Sequence, residues 1–522
     1  MNIILLKMLS RFIYIILSLT FVGCSFSSKE GKEEQKHGKT TSLITVDVNT
    51  EFQEIENFGA SDAWSCQFVG NWPMAKKDSI ANWLFSKEFD AKGNPKGIGL
   101  SLWRFNLGAG SSFQGDNSGI KDTWRRAESF LLPNGNYDWT KQKGQVWFAQ
   151  KAKELEVENL LVFLNSPPVN LTITGKAFAK NGKTNIAPKN YKQFAKYLAT
   201  CIKGMENMGL KVDYISPFNE PQWDWSDGGQ EGTPYLNSEI NSITKVINNQ
   251  FLADHISTKI DITEAGQINY LYQDDNRPKR GSQIDYFYNP NSDGYIGDLD
   301  LLNHSISAHS YFTTSPKKQL IDQRIKLNNT LKNNDVKYWM SEYCILGDNA
   351  GEIEGNGKDV GMNSALYMAK VIHHDLVDAQ ASAWHWWTAI SAYDYKDGLI
   401  YIDKNESNGA YEDSKMLWVL GNYSRFIRPG YKRIKTIADE SINTDDFLIS
   451  AFTDSKKNKV ILVIVALTDA ELNFDLNANN KLVPKNMYTT SSNCNLKHVP
   501  IKNTTIHITE PSVTTIMYET KK

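Results

Sequence analysis

Excess charge is what this chain most plainly lacks. Its 57 Lys and Arg stand against 59 Asp and Glu, a formal −2 over 522 residues. With no strongly basic run, that balance excludes the electrostatic footprint of a nucleic-acid partner. Cysteine is scarce as well. Cys24, Cys66, Cys201, Cys344 and Cys494 are the five, widely and irregularly spaced; they show no metal-binding or redox pair, and the last four read as buried free thiols with at most one disulfide. Apart from one apolar run near the N-terminus there is no stretch of membrane character, no internal repeat and no low-complexity block beyond a short polar tether. Aromatic residues, in contrast, abound. The 14 Trp, 23 Tyr and 23 Phe can fill a large core, and where they cluster they offer flat faces to sugar rings.

The apolar run is Phe12 to Val22, preceded by Lys7 and Arg11 and too short to span a bilayer. Gly23-Cys24 follows it and resembles a bacterial lipoprotein cleavage site, so residues 1–24 read as a signal peptide with Cys24 as the lipidated residue. Phe21-Val22 departs from the usual pattern, and ordinary signal cleavage is the alternative. Residues 25–42, rich in Lys, Glu and Gly, read as a flexible tether. The chain is thus expected to be exported, and to touch a membrane only through Cys24.

The stretch that organises the remainder is VDYISPFNEPQWDW, Val212 to Trp225. It opens as a short strand, which Pro217 and Pro221 stop while forbidding a helix. Asn219 and Glu220 are therefore held together where a strand ends, with Trp223 and Trp225 close behind. A carboxyl group beside indole faces can keep its proton near neutrality. Cleaving a glycoside needs a second carboxylate across the bond. Glu342 in KYWMSEYC, again at the end of an aromatic strand and 122 residues downstream, fits that need.

The pairing of SPFNEPQW with WMSEY resembles glycoside hydrolase family 30. ENFGASDAWS (Glu56 to Ser65) and LGNYSRFIRPG (Leu420 to Gly430) are similar to that family too. The resemblance implies an α/β fold: a (β/α)8 barrel with a C-terminal β-sandwich that also takes N-terminal strands. Period and turn signals agree with it. Eight strand-like segments lie between Phe58 and Ala389, with helices over Gln145–Glu156, Asn190–Met208 and Asn363–Val377. After Arg428 short β-rich runs alternate with Asn, Asp and Lys turns. The expected division is residues 43–57 for strands joining the sandwich, 58–428 for the barrel and 429–522 for the sandwich.

The resemblance further implies a retaining hydrolase of oligo- or polysaccharide, with Glu220 as acid/base and Glu342 as nucleophile. Asn219 would bond the sugar 2-hydroxyl, Tyr311 and Arg104 would hold Glu342, and Trp386 would form the indole floor. His309 shares the face of Tyr311 by period-two alternation, although both could also be polar barrel layers. Trp384 reads as packing, Asp62 and Trp64 as a first-strand loop at the substrate, and Trp223 and Trp225 as platforms on the leaving-group side. Glu264 is a rival carboxylate, ranked as a cleft-wall group, and Glu231 is loop structure or an outer subsite. NEPQWDW with GGQEG resembles the endo-β-1,6-galactanase branch, against which Asn170 stands where many relatives carry an aromatic. The alternatives are a β-1,6-glucanase, a xylanase, or an exo-acting fucosidase or xylosidase whose cleft the segment Gln273 to Asp298 would close. A catalytically silent glycan-binding lipoprotein is the reading of a different class. No metal or organic cofactor is expected, and the chain reads as a monomer.

Overall fold

The computed structural model describes residues 42–468, 472–477, 482–501, 506–508 and 510–520. The expected leader, its Cys24 and nearly all of the tether lie outside them. Strand β1 (Ser42–Ile55) leads into a closed barrel of eight parallel strands in chain order. These are β2 (Asn57–Ser61), β3 (Leu102–Asn106), β4 (Asn159–Phe163), β5 (Tyr214–Ser216), β6 (Lys259–Ala265), β7 (Leu302–His309), β8 (Lys337–Tyr343) and β9 (Ala383–Trp386). All eight expected segments contribute. The three expected helices form over Lys143–Glu154, Tyr191–Asn207 and Met362–Val377. In the second, Phe194, Ala195, Leu198, Cys201, Ile202 and Met205 make the buried stripe. Gly209, at φ 81, ends it in the left-handed conformation that a side chain would resist.

A small sheet of β10 (Thr388–Ser391), β11 (Gly398–Ile402) and β12 (Tyr411–Asp413) follows the barrel; no pattern in the sequence announces it. The chain then builds β13 (Tyr431–Ala438), β14 (Phe447–Thr453), β15 (Lys459–Ala466), β16 (Leu472–Asn477), β17 (Leu482–Ser491), β18 (Cys494–Val499), β19 (Ile506–Ile508) and β20 (Ser512–Thr520). With β1 they form one nine-stranded sheet, antiparallel except where β1 meets β16. Ile508 of β19 and Ile516 of β20 share one apolar cluster although six places separate their strands in the sheet order, so the sheet curls over its own core.

β15 explains why its sequence is apolar throughout. Val460, Leu462 and Ile464 face the sheet's own core, while Ile461, Val463 and Val465 join the core of the barrel. A strand covered on both faces loses the usual alternation. Cys66, Cys201, Cys344 and Cys494 are all free thiols. No helix among the described residues is long and apolar enough to cross a membrane.

Candidate active site

The C-terminal ends of neighbouring strands deliver three carboxyl groups to one place. β5 stops at Ser216, before Pro217, and the chain turns so that Glu220 sits at φ 43, an uncommon conformation for a residue with a side chain. Three hydrogen bonds hold it there. Its N–H donates to the Glu264 carbonyl at 2.8 Å, and its own carbonyl accepts from the Trp223 N–H and the Trp225 indole, both at 3.1 Å. Such a backbone costs about 1–3 kcal/mol and persists where the surroundings over-determine it. On β8 the register slips between Met340, opposite Ala308, and Glu342, opposite His309. The extra residue is Ser341. The bulge lets Ser341 reach Glu264 while Glu342 reaches Arg104 and Tyr311.

Around Glu342, Arg104 Nη1 donates to Oε2 at 2.7 Å and the Tyr311 hydroxyl donates to Oε1 at 3.0 Å. The other end of the guanidinium, Nη2, lies 3.1 Å from Glu264 Oε2. His309 is wedged between carboxyl groups. Its Nε2 is 2.9 Å from Glu264, while its Nδ1 is 3.0 Å from Glu220 Oε1 and 3.5 Å from Glu342 Oε1. Arg104, Glu264 and His309 are fully buried, with Glu220 and Glu342 8% and 4% exposed at the cleft.

The neighbours decide the charges. Burial opposes ionisation of Glu264, yet Arg104 and His309 outweigh it and hold the carboxyl at about 2. Burial likewise opposes a charged His309, but Glu342 and the hydrogen bonds to Glu220 and Glu264 lift the ring to about 10. Glu342 is pushed above the usual carboxylate range by burial, with His309 and Arg104 pulling the other way. Asp261, three residues earlier on β6, is raised to about 7 by burial and by the charge on Glu264. Glu220, His309 and Glu342 each offer an atom within 4.8 Å of the others. A protonated ring and a guanidinium already bonded to one carboxylate make this a poor seat for a cation.

The pair opens into a cleft of about 380 Å³ lined by Trp223, Trp225, Phe312 and Trp387, and also by Asn219 and Tyr311. Asn219 Oδ1 is buried there without a hydrogen-bond partner. Other expected contacts fall elsewhere. Trp386 is fully buried, its indole donating to the Asp397 carbonyl at 2.5 Å and its ring stacked on Trp384. The aromatic at the cleft is its neighbour Trp387, because Trp384 and Trp386 face away from the barrel axis; the expected parity of β9 was off by one. A fuller reading of WHWW would have paired Trp387 with inward-facing His385. His309 and Arg104 touch the carboxyl groups rather than the cleft. Asp62 accepts from the Asn106 N–H at 2.7 Å and from Gln145 at 3.1 Å, beneath the surface. Trp64 buttresses Trp387 edge-on at 5.3 Å.

Three further groups find their places. Glu231 stitches its loop to the chain after β3, accepting from the Ala109 N–H and from Ser111, and is not an outer subsite. Asn170 donates to the Leu132 carbonyl. The segment Gln273 to Asp298 holds the helix Gln283–Tyr288 and lays Arg277 over Trp223 at 5.7 Å, but none of it lines the cleft. Phe312, unremarked in the sequence, is 54% exposed and held at φ 57 beside Tyr311. A large apolar side chain exposed in a strained backbone at a cleft fits a ligand-facing position, and only the tertiary placement shows it.

Known proteins are similar to this chain in sequence and fold. A conserved exported protein from Bacteroides fragilis superposes with a TM-score of 0.85 at 33% identity, covering 91% of this chain and 100% of that one. The glucuronoxylanase XynC of Bacillus subtilis is 24% identical over 491 residues, 91% of either chain. An exo-beta-1,6-galactobiohydrolase of Bifidobacterium longum subsp. longum is 26% identical over 260 residues, 40% of this chain. The match spans 17% of that longer protein's length. The model of O-glycosyl hydrolase family 30 matches residues 41–401, which include the whole barrel and both strand ends that carry Glu220 and Glu342. A chain with that match and that barrel belongs to O-glycosyl hydrolase family 30.

Proposed function

We propose that the chain cleaves β-1,6-linked galactan internally with retention at the anomeric carbon, Glu342 acting as nucleophile and Glu220 as acid/base. The observation that carries the retaining mechanism is the closeness of the pair, an oxygen of each lying within 4.8 Å of one on the other. Retaining carboxyls stand about 5–5.5 Å apart and inverting ones about 6.5–9.5 Å. Arg104 and His309 bring two positive charges to three carboxyl groups, and Glu264 takes up one of them as a buried anion. One negative charge is then balanced on the remaining pair, leaving one nucleophile and one proton donor. Glu342 attacks the anomeric carbon while Glu220 protonates the departing oxygen. The Glu342 ester carries no charge, and Glu220, now a carboxylate, draws the proton from the incoming water.

The linkage rests on coarser support. GGQEG resembles the β-1,6-galactanase branch, and one relative is named for β-1,6-galactobiose release. A 1,6-bond adds a rotatable exocyclic carbon, and Trp223, Trp225, Phe312 and Trp387 in the cleft supply the broad faces such a chain needs. The test is a product profile on β-1,6-galactan, β-1,6-glucan and glucuronoxylan side by side. A ladder of short galacto-oligosaccharides is expected early. Preference for glucan or xylan refutes the linkage, and a single early mono- or disaccharide supports the second reading, exo action, which that relative's name favours. We also read Cys24 as the lipid anchor of an exported protein. Cys24→Ala is then expected to leave the membrane fraction, and unchanged association would refute it.

A further inference from the structure

We propose that His309, kept as an imidazolium by Glu264, is the positioning residue whose Nδ1–H follows the negative charge from Glu342 to Glu220 as the reaction proceeds. This rests on the acid/base and nucleophile roles proposed above. Its basis is geometric. Nδ1 stands 3.0 Å from Glu220 Oε1 and 3.5 Å from Glu342 Oε1, so one N–H addresses both reacting carboxyls. Nε2 is committed to Glu264 at 2.9 Å, where Ser341 also donates at 2.6 Å and Arg104 Nη2 lies at 3.1 Å. The Glu264 carboxylate is therefore an acceptor to each of these partners, which places a proton on Nε2. Nδ1 faces carboxyl oxygens only, and serving both of them as a donor needs the second proton.

The ring has no exit from this position. It is fully buried, with Arg104 from β3, Glu220 from beyond β5, Glu264 from β6, Glu342 from β8 and His385 from β9 as the titratable groups around it. Tyr311 stands two residues along its own strand, edge-on at 5.8 Å. Burial, reinforced by Arg104, holds His385 neutral, its value falling to about 3. The cations are thus Arg104 and His309.

The charges balance at each stage. In the roles proposed above, the anions at rest are Glu264 and Glu342, and Glu220 holds the proton that it gives to the leaving group. In the first step the bond from Glu342 to the anomeric carbon forms, the bond to the leaving oxygen breaks, and the Glu220 proton goes to that oxygen. The anions are then Glu264 and Glu220, again two against two. Nothing but the Glu342-to-Glu220 charge has moved, over a gap that one N–H spans. A neutral ring could stabilise neither state as well, because a charge-assisted hydrogen bond is roughly twice as strong as a neutral one.

The test separates leaving groups. In His309→Gln, hydrolysis of natural glycan, whose leaving alcohol needs a proton, is expected to fall about 10²-fold. A dinitrophenyl glycoside, whose leaving group needs none, should lose far less in the glycosyl-transfer step. Removing a cation also raises neighbouring carboxyls, so the bell-shaped pH profile of kcat/KM should move to higher pH. Nitrogen-15 NMR of the wild-type ring needs no variant: the imidazolium pattern is expected at pH 7, and Glu264→Gln should convert it to the neutral one. A neutral ring in the wild type, or an equal loss on all leaving groups with an unmoved pH profile, overturns the proposal. If instead Glu220→Ala shows no leaving-group dependence, the acid/base assignment itself has failed.

Discussion

Strand β15 buries seven consecutive side chains from Val460 to Ala466, every one of them apolar. The C-terminal ends of β6 and β7 bury Glu264 and His309 just as deeply, with Glu342 of β8 beside them at the edge of the cleft. Both regions exclude water, and they use the exclusion for opposite ends. In the sheet it yields the free energy of apolar burial, about 25 cal/mol per Å² removed from water. At the barrel mouth the same exclusion is a cost, since each charge must find a partner or neutralise. Arg104 and His309 are those partners, and the low dielectric that makes them necessary also makes their effect on the carboxyl groups strong. The sheet thus contributes stability and the barrel mouth is the proposed place of the chemistry, and substitutions can separate the two.

The sharpest separation is at the proposed catalytic pair, Glu220 and Glu342. Glu220→Ala is expected to lose about 10²–10⁴-fold on natural glycan and Glu342→Ala at least as much, both keeping a cooperative melt. Azide should rescue each on an activated substrate with opposite outcomes: an inverted glycosyl azide from Glu342→Ala and a retained one from Glu220→Ala. If Glu264→Ala gives the inverted azide instead, the nucleophile is misassigned. Leu462→Ala, in the sheet core, should do the reverse, costing about 2–5 kcal/mol in denaturant unfolding with kcat unchanged below the melt. A change in kcat there would break the comparison.

Smaller effects refine it within the barrel. Tyr311→Phe removes one charge-assisted hydrogen bond from Glu342, worth about 1.5–3 kcal/mol, so kcat/KM should fall at least about tenfold while Tm moves little. The neighbours Trp386 and Trp387 should split cleanly: Trp387→Ala raises KM on oligosaccharide, and Trp386→Ala lowers Tm instead. If Trp386→Ala raises KM and Trp387→Ala does not, Trp386 rather than Trp387 faces the sugar. A last effect, read in stability alone, concerns Asp62, which burial pushes up to about 7. The folded state then keeps a proton that the unfolded chain releases from about pH 4 upward, so stability declines as pH rises from about 4 to about 7. Asp62→Asn should flatten part of that slope in Tm against pH; an unchanged slope would show that Asp62 folds ionised.

The sequence by itself determined the eight strands, the two strand-end carboxyls and their aromatic company. These follow from local rules: proline stops a strand, period two marks a half-buried one, and a 3.6-residue stripe marks a helix. Tyr311 and Arg104 came with the family motif and sit where it implied, bonded to Glu342. Only the tertiary structure decided what depended on register and on neighbours from distant strands. One residue of parity put Trp387 rather than Trp386 at the cleft. One bulge at Ser341 brought β8 to bear on both Glu264 and Arg104. The charge state of Glu264 is set by residues 45 and 160 positions away in the chain. Local pattern fixes where a strand ends, but a buried charge is settled by whatever the closing of the barrel brings within a few ångströms of it.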